Sequence, residues 1–298
     1  MCPGLASAAA AQSPSPAYRL DPQPKTDAEL AQRFTAPQID ILEMLNRRDR
    51  LHLVRPDPPT PGIVVPVTWT DDPLLYSPFP QSWIAAEPFA KAIVVHQPGQ
   101  AYAAYERGHL VRWGPVSTGR RETPTPKGSF NLTWRARKRH STDNDAWILE
   151  WYFNFVNERG VSFHLFDLPG YPASHACARM LLRDAQWLYE WGEEWSLDDS
   201  RRVVLAPGTP VLVIGTYPFG SPPAWLSLEW LSTPIALPAE IGATTNLPAL
   251  PSSAASEGSD RSANPDSRRS SGPTAPRARS GTNSDRPAPR SPSRRPIR

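Results

Sequence analysis

The sequence predicts a mostly-β domain with one substantial helix, a small helical region before it and a disordered tail behind it. Three observations predict this. Short runs of apolar and β-branched residues recur between turn signals, as in "KAIVVHQ" (91–97) and "AYAAYE" (101–106). A single stretch of the same region, "LLRDAQWLYEW", carries apolar residues at helical spacing. The 37 prolines among 298 residues confine much of the remaining length to connectors and tails, because proline lacks the N–H that helix interiors and central strands need.

The elements follow in order. Residues 1–25 read as a disordered leader. Its "ASAAAAQS" resembles the small-residue end of a secretory signal without the charged and apolar parts, so export with a truncated signal is expected. Residues 26–69 read as a small helical and strand region. Thr26 with Glu29 and Thr35 with Gln38 have capping-box spacing, and two short helices follow. Leu30 and Phe34 share a face in the first, and Ile39, Leu42 and Leu45 nearly share one in the second. "GIVVPVTW" (62–69) then reads as a strand. This order is loosely similar to LysM glycan-binding modules, but no diagnostic residue supports it, and a packing extension of the next domain is the preferred reading. Residues 70–88 read as a proline-rich linker.

Residues 89–216 form the predicted β domain. "KAIVVHQ", "AYAAYE" and "HLVRWGPVS" make a meander turned at Arg107-Gly108, and "GSFNLTW" and "VSFHLF" add strands. Leu181, Ala185, Leu188 and either Trp191 or Gly192 line one face of the helix, and "GTPVLVIG" (208–215) is a buried closing strand. The run "RARKRH" (135–140) reads as a solvated loop. Trp187, Trp191 and Trp195 read as core and interface filling rather than a glycan platform. Residues 217–250, with Trp225, Leu226, Leu228, Trp230 and Leu231, read as an extended segment docked on the domain. Residues 251–298, rich in Ser, Pro and Arg, bury too little apolar surface to offset the entropy of ordering.

Charge and cysteine content exclude several classes. The formal charge is +3, but the tail alone holds ten arginines and four acids, so residues 1–250 carry 22 basic against 25 acidic side chains. The folded part has no basic surplus, and no nucleic-acid partner is expected. No apolar run reaches the roughly 18 residues of a membrane span, so no stable span is expected. Two thiols, Cys2 and Cys177, make no disulfide framework.

The informative segment is "PASHACARM" (172–180), which groups Ser174, His175, Cys177 and Arg179. A lone cysteine is commonly a buried, inert thiol. A thiol becomes a nucleophile when a base or positive surroundings stabilise the thiolate. His164, thirteen residues upstream, reaches Cys177 if "DLPGYPA" loops back, and Pro169-Gly170 and Pro172 favour such a loop. His175 falls on the same side as Cys177 if that stretch is extended, and Arg179 adds a fixed positive charge. His175 and Arg179 read equally well as structural residues that pin the loop. Two histidines and a cysteine also supply three zinc ligands, but a fourth ligand and any short ligand pair are missing, so no metal and no cofactor are expected.

Together, the strand histidine, Ser-His-x-Cys-x-Arg-Met and the helix after it resemble the L,D-transpeptidase catalytic domain, the YkuD fold. The threonine-proline segment "PVSTGRRETPTPKGSF" (115–130), "LPGYPASH" and "GTPVLVIG" resemble it in the same order, over residues 89–216. The resemblance implies a YkuD-like β-sandwich or meander, and cysteine acyl transfer on peptidoglycan stem peptides. It implies Cys177 as nucleophile and His164 as general base, with the Leu165 carbonyl orienting the imidazole. His175 and the amides about Ser174, Ala176 and Cys177 would stabilise the oxyanion, and Arg179 would position the loop or a donor carboxylate.

The sequence departs from that pattern at Ala176 and Leu165, where glycine, or glycine or serine, is usual. A positive φ at 176 would make the methyl group costly. With water as acceptor, the same site is an L,D-carboxypeptidase. A decayed wall-binding scaffold is the competing class. The resemblance places the protein in the periplasm or wall of a bacterium and leaves its oligomeric state undetermined.

Overall fold

The computed structural model describes residues 16–141 and 146–242. The leader's first fifteen residues and the tail from 243 onward, with the readings made of them, lie outside the described residues.

Around the N-terminal helices, local sequence sets each boundary. The first strand, β1 (Tyr18–Asp21), is followed by α1 (Asp27–Arg33), α2 (Ala36–Asn46), α3 (Arg50–Val54) and β2 (Ile63–Pro66). Thr26 Oγ1 accepts from the Glu29 N–H at 3.1 Å, and Gln38 Oε1 accepts from the Thr35 N–H at 2.9 Å. Glu29 instead reaches the Lys25 N–H, one residue before the expected partner. Leu30, Phe34, Ile39 and Leu42 bury against Leu53, Val54, Ile63 and Val65 in a small core. The strand β1 lies inside the segment read as disordered leader. It pairs antiparallel with β2, so backbone hydrogen bonds order a stretch with little apolar content.

The main sheet has nine strands: β3 (Lys91–His96), β4 (Ala101–Glu106), β5 (His109–Ser117), β6 (Gly128–Asn131), β7 (Arg135–His140), β8 (Ile148–Val156), β9 (Val161–Leu165), β10 (Ala178–Met180) and a closing strand. Between β10 and that strand come α4 (Leu182–Trp191) and the pair β11 (Ser196–Leu197) and β12 (Val204–Ala206). The closing strand is β13 (Pro210–Ile214). The spatial order is β6-β13-β3-β4-β5-β10-β9-β8-β7. The β3-β4-β5 meander is present, while β13 joins β3 in parallel and β10 joins β9 in parallel. The protein is thus mostly β, as the sequence predicts.

Alternation along β3 shows why the sheet is buried on both faces. Ala92 and Val94 enter one core with Ile41, Met44 and Leu45 of α2, whereas Ile93 and Val95 enter the other with Phe153, Phe163 and Leu188. The helix α2 therefore serves two cores. Arg47, at its end with φ 56°, is fully buried between Trp113 and Trp225 at 5.3 and 5.7 Å. It donates to the Gly99 carbonyl at 2.8 Å and to the Met44 and Leu45 carbonyls, and burial pushes its pKa down to about 9.

The segment 70–88 is a covering layer, not a linker. Tyr76, Phe79 and Trp83 are 2, 2 and 4% exposed within the main core. Each buries enough area to contribute on the order of 2 kcal/mol. Proline still leaves its carbonyl as an acceptor, and two of the layer's carbonyls satisfy polar tips beneath it: Trp113 Nε1 donates to Pro73 and Tyr105 Oη to Pro80, while the layer's own Trp83 Nε1 donates to Pro238. From 217 onward, Trp225, Leu231 and Ile235 pack into the same core, around the short helix α5 (Leu228–Leu231).

The run "RARKRH" is the edge strand β7 and not a loop. Arg135, Arg137 and Arg139 alternate onto one face of the strand and lie over aromatic rings: Arg135 over Tyr189, Arg137 over Trp151 and Arg139 over Trp134 and Tyr152. Cation–π stacking replaces the apolar side chains that a strand pattern would show. Trp187 and Trp191 stack at 4.8 Å against the second core, beneath Arg112 and Lys91.

Candidate active site

The strand β10 lies between β5 and β9, in register Ala178 to Phe163 and Arg179 to His164. Alternation then sorts the side chains. Phe163, Ala178 and Met180 enter the second core, leaving Ser162, His164, Cys177 and Arg179 for the opposite face. Ser162 Oγ is 3.5 Å from Cys177 Sγ, and Sγ is 3.8 Å from the Gly160 carbonyl. "DLPGYPA" does loop back, so the thirteen-residue separation of His164 and Cys177 becomes two residues of strand register.

His164 is 3% exposed, and its Nδ1–H donates to the Leu165 carbonyl at 3.0 Å. This bond fixes the tautomer and leaves Nε2 as the unprotonated nitrogen. Burial, reinforced by the Arg179 charge, pushes the His164 pKa down to about 4. The imidazole is therefore neutral at pH 7 and able to accept a proton. Arg179 stacks on Phe166 at 4.5 Å and donates to the Asp167 carbonyl at 3.4 Å.

The loop carrying Ser174 to Cys177 is strapped to the threonine-proline segment. Ser174 N–H donates to the Thr118 carbonyl, while the Ser174 carbonyl accepts from Arg120 N–H at 2.9 Å and Thr123 Oγ1 at 3.3 Å. Thr125 Oγ1 accepts from Gly119 N–H at 2.8 Å and donates to the Ala176 carbonyl at 2.7 Å. Gly119 is required by close approach, since a Cβ there would lie 2.1 Å from the Thr123 carbonyl oxygen. Nothing in the local pattern of the threonine-proline segment marks Thr125 apart from Thr118 and Thr123; its role comes from the contact with Ala176.

Ala176 has φ 85°, so the stretch from His175 to Cys177 is not extended, and the condition for placing the two side chains on one side by strand alternation is not met. His175 nonetheless lines the same two cavities as Cys177, with its ring 5.2 Å from Trp147 and its Nδ1 buried without a partner. The positive φ costs an alanine about 1–2 kcal/mol. Replacement by glycine relieves that strain, loses a buried methyl worth about 0.8 kcal/mol and adds unfolded-chain entropy of similar size. Ala176→Gly is therefore expected to shift stability by less than about 1 kcal/mol in denaturant unfolding. A change above about 2 kcal/mol would show that the methyl group has a role this balance omits.

Two cavities meet at Cys177. The larger, about 330 Å³, includes Thr123, Arg139, Tyr152, Arg159 and Gly160 in its wall. The smaller, about 30 Å³, brings His164, Ser174, His175 and Arg179 together with Cys177. All the side chains expected at the site thus lie around the thiol, with Leu165 present through its carbonyl and Ala176 in the wall of the larger cavity. Arg139 and Tyr152 were not foreseen. They come from β7 and β8, strands distant in sequence from the cysteine motif. Among the described residues, no three His, Cys, Asp or Glu side chains gather as metal ligands would.

No curated protein matches the chain. Among solved structures it is similar to an L,D-transpeptidase from Stackebrandtia nassauensis, at 23% identity and TM-score 0.36, covering 43% of this chain and 57% of that one. It is also similar to L,D-transpeptidases from Mycobacterium smegmatis (16% identity, TM-score 0.34, 42% and 59% covered) and Mycobacterium tuberculosis (22%, 0.34, 42% and 58%). The chain thus spans less than two thirds of the length of these proteins. The family profile described as YkuD, L,D-transpeptidase catalytic domain, matches residues 90–213, the stretch that holds both Cys177 and His164.

Proposed function

We propose that the protein is a cysteine-dependent L,D-transpeptidase acting on peptidoglycan stem peptides through an acyl-enzyme. The observation that carries this reading is the shared cavity of Cys177 and His164, with the His164 ring fixed by the Leu165 carbonyl. Nε2 of His164 takes the thiol proton as Sγ attacks the carbonyl between an L- and a D-centre of the donor. His175 and the amides of the Ser174–Cys177 loop stabilise the oxyanion. Collapse of the intermediate breaks the C–N bond, and His164 returns the proton to the departing amine of the D-residue. An acceptor amine then attacks the thioester carbonyl and gives up its proton to His164, which hands it back to the departing thiolate. Water in place of the amine gives the carboxypeptidase outcome. No step calls for a cofactor, and the substrate places the protein in the periplasm or cell wall of a bacterium.

Incubation with a carbapenem tests this reading. Thiolate attack opens the lactam and the ring nitrogen takes a proton, so the intact mass should rise by one whole carbapenem. Cys177→Ala should show no adduct, and His164→Ala should slow its formation by about 10²–10³. A wild-type protein that gains no mass, and whose thiol meets iodoacetamide no faster than free cysteine at pH 7, would leave the decayed wall-binding scaffold as the better account.

A further inference from the structure

The larger cavity beside Cys177 carries two cations that the acyl-transfer steps do not use. Along β7, Arg135 pairs with Glu194 at 3.2 Å, Arg137 with Glu190 at 4.0 Å and Lys138 with Glu150 at 2.8 Å. Arg139 differs. Among the described residues it has no carboxylate within 4.0 Å, and it is the arginine of that strand that lines the cavity. Its guanidinium carbon lies over the rings of Trp134 at 4.7 Å and Tyr152 at 5.2 Å, which limits its freedom before any ligand arrives.

Arg159 reaches the same cavity from the turn between β8 and β9. It immediately precedes Gly160, whose carbonyl is 3.8 Å from Cys177 Sγ, and it too has no ion pair among the described residues. The acidic member of the wall, Glu122, is 3.6 Å from Arg120. Among the described residues the wall is therefore positive next to the thiol, in a volume of about 330 Å³ with room for the residues flanking a scissile bond. Arg179, the cation first expected to meet a donor carboxylate, instead faces the smaller cavity and is engaged with Phe166 and the Asp167 carbonyl.

We infer that Arg139 and Arg159 form an anion subsite that holds a carboxylate of the donor peptide beside Cys177. The assignment rests on the acyl-transfer reading for the identity of the donor. A planar guanidinium offers paired N–H donors matched to a carboxylate, and two of them select an anionic group over its amide. The carboxylate comes either from the terminal D-residue, one residue from the attacked carbonyl, or from an acidic side chain of the stem. Both present the same chemistry to the arginines.

The test compares two alkylating probes at Cys177, iodoacetate and the neutral iodoacetamide. Their rate ratio cancels any change in thiolate fraction and reads the anion preference alone. Relative to free cysteine, the wild-type ratio should favour iodoacetate by about tenfold or more, and Arg139→Gln and Arg159→Gln should each lower it several-fold. Arg159 is exposed, so its variant keeps the test valid if the Arg139 variant is poorly folded. Arg139→Lys, which keeps the charge and loses the fork, should fall between. A wild-type ratio equal to that of free cysteine, or a ratio unmoved by both variants, overturns the subsite. Tetrapeptide donors form the second arm. Both variants should lower acylation kcat/KM about tenfold for the free-acid donor, and amidating one carboxylate at a time identifies the one whose loss abolishes that dependence. Acylation indifferent to both arginines overturns the subsite. An anion-dependent alkylation ratio with no acylation by any donor supports the subsite and removes the transpeptidase reading instead.

Discussion

Thr125→Val is expected to lower the melting temperature by about 5–12 °C and to slow acylation of Cys177 by about 10²-fold. Valine matches threonine in shape, so the change isolates the hydroxyl. That hydroxyl joins Gly119 N–H at 2.8 Å to the Ala176 carbonyl at 2.7 Å, both in a region where Thr125 and Ala176 are 2 and 5% exposed. Removing it strands a donor and an acceptor away from water, at about 1–3 kcal/mol each. The kinetic effect follows from position, because the Ala176 carbonyl belongs to the peptide unit that leads into Cys177. At φ 85° an alanine has no intrinsic preference to stay there, so the hydrogen bond to Thr125 holds it. Thr125→Ser restores the hydroxyl and should recover most of both losses. Melting curves and carbapenem adduct rates for the three proteins decide the point. A valine variant within 2 °C and twofold of wild type would mean that the loop is held by the Ser174 contacts alone.

What the sequence made legible depended on how far apart the cooperating residues lie along the chain. Strand β3 was readable because "KAIVVH" is apolar on both faces and short, and α4 because Leu181, Ala185 and Leu188 repeat at helical spacing. Cys177, Ser174, His175 and Arg179 fall in one motif, and His164 with Leu165 in another, so a short loop sufficed to connect them. Strand β8 was not recognised. Its alternation breaks at Trp151, where φ is 55° and the register to β9 shifts, so that Tyr152 and Phe153 are both buried. Strand β7 hid behind its charges, since stacking on Trp134, Trp151 and Tyr189 is a tertiary property that no local window contains. With those two strands unread, Arg139 and Tyr152 had no place near the thiol. The proline-rich covering layer failed for a related reason: composition registers the missing N–H groups of proline, but not the carbonyls that Trp113, Tyr105 and Trp83 use.

Acidification from pH 7 to pH 4.5 should cost the folded state about 3–4 kcal/mol, before most carboxylates titrate. Two histidines set this. His164 and His96 both have pKa values pushed down to about 4 from 6.5, each chiefly by burial, with Arg179 adding to the first and Arg47 to the second. In the unfolded chain both bind a proton as pH falls through 6.5, whereas the folded protein keeps them neutral until about 4. The unfolded state thus binds more protons across this window, and stability rises with pH there and is lost on acidification. For His164 the loss at pH 4.5 is about 2.5 kcal/mol. His96 contributes less because it is partly solvent-exposed, although its Nδ1 accepts from Gly99 N–H at 3.0 Å and must stay unprotonated to do so. His52 acts in the opposite sense. Its hydrogen bond to Asp49 raises its pKa, so it adds stability at low pH that disappears as pH rises through its folded value, and it offsets part of the loss. Denaturant unfolding at pH 7, 5.5 and 4.5 measures the sum, and His96→Gln should flatten the curve by about a third. The same shift places the acid limb of Cys177 acylation nearer pH 4 than 6.5, because the base stays unprotonated until then. A stability curve flat from pH 7 to 4.5, or an acid limb at 6.5, would mean that His164 titrates in the folded protein as it does in the unfolded chain, and that its burial does not disfavour the imidazolium.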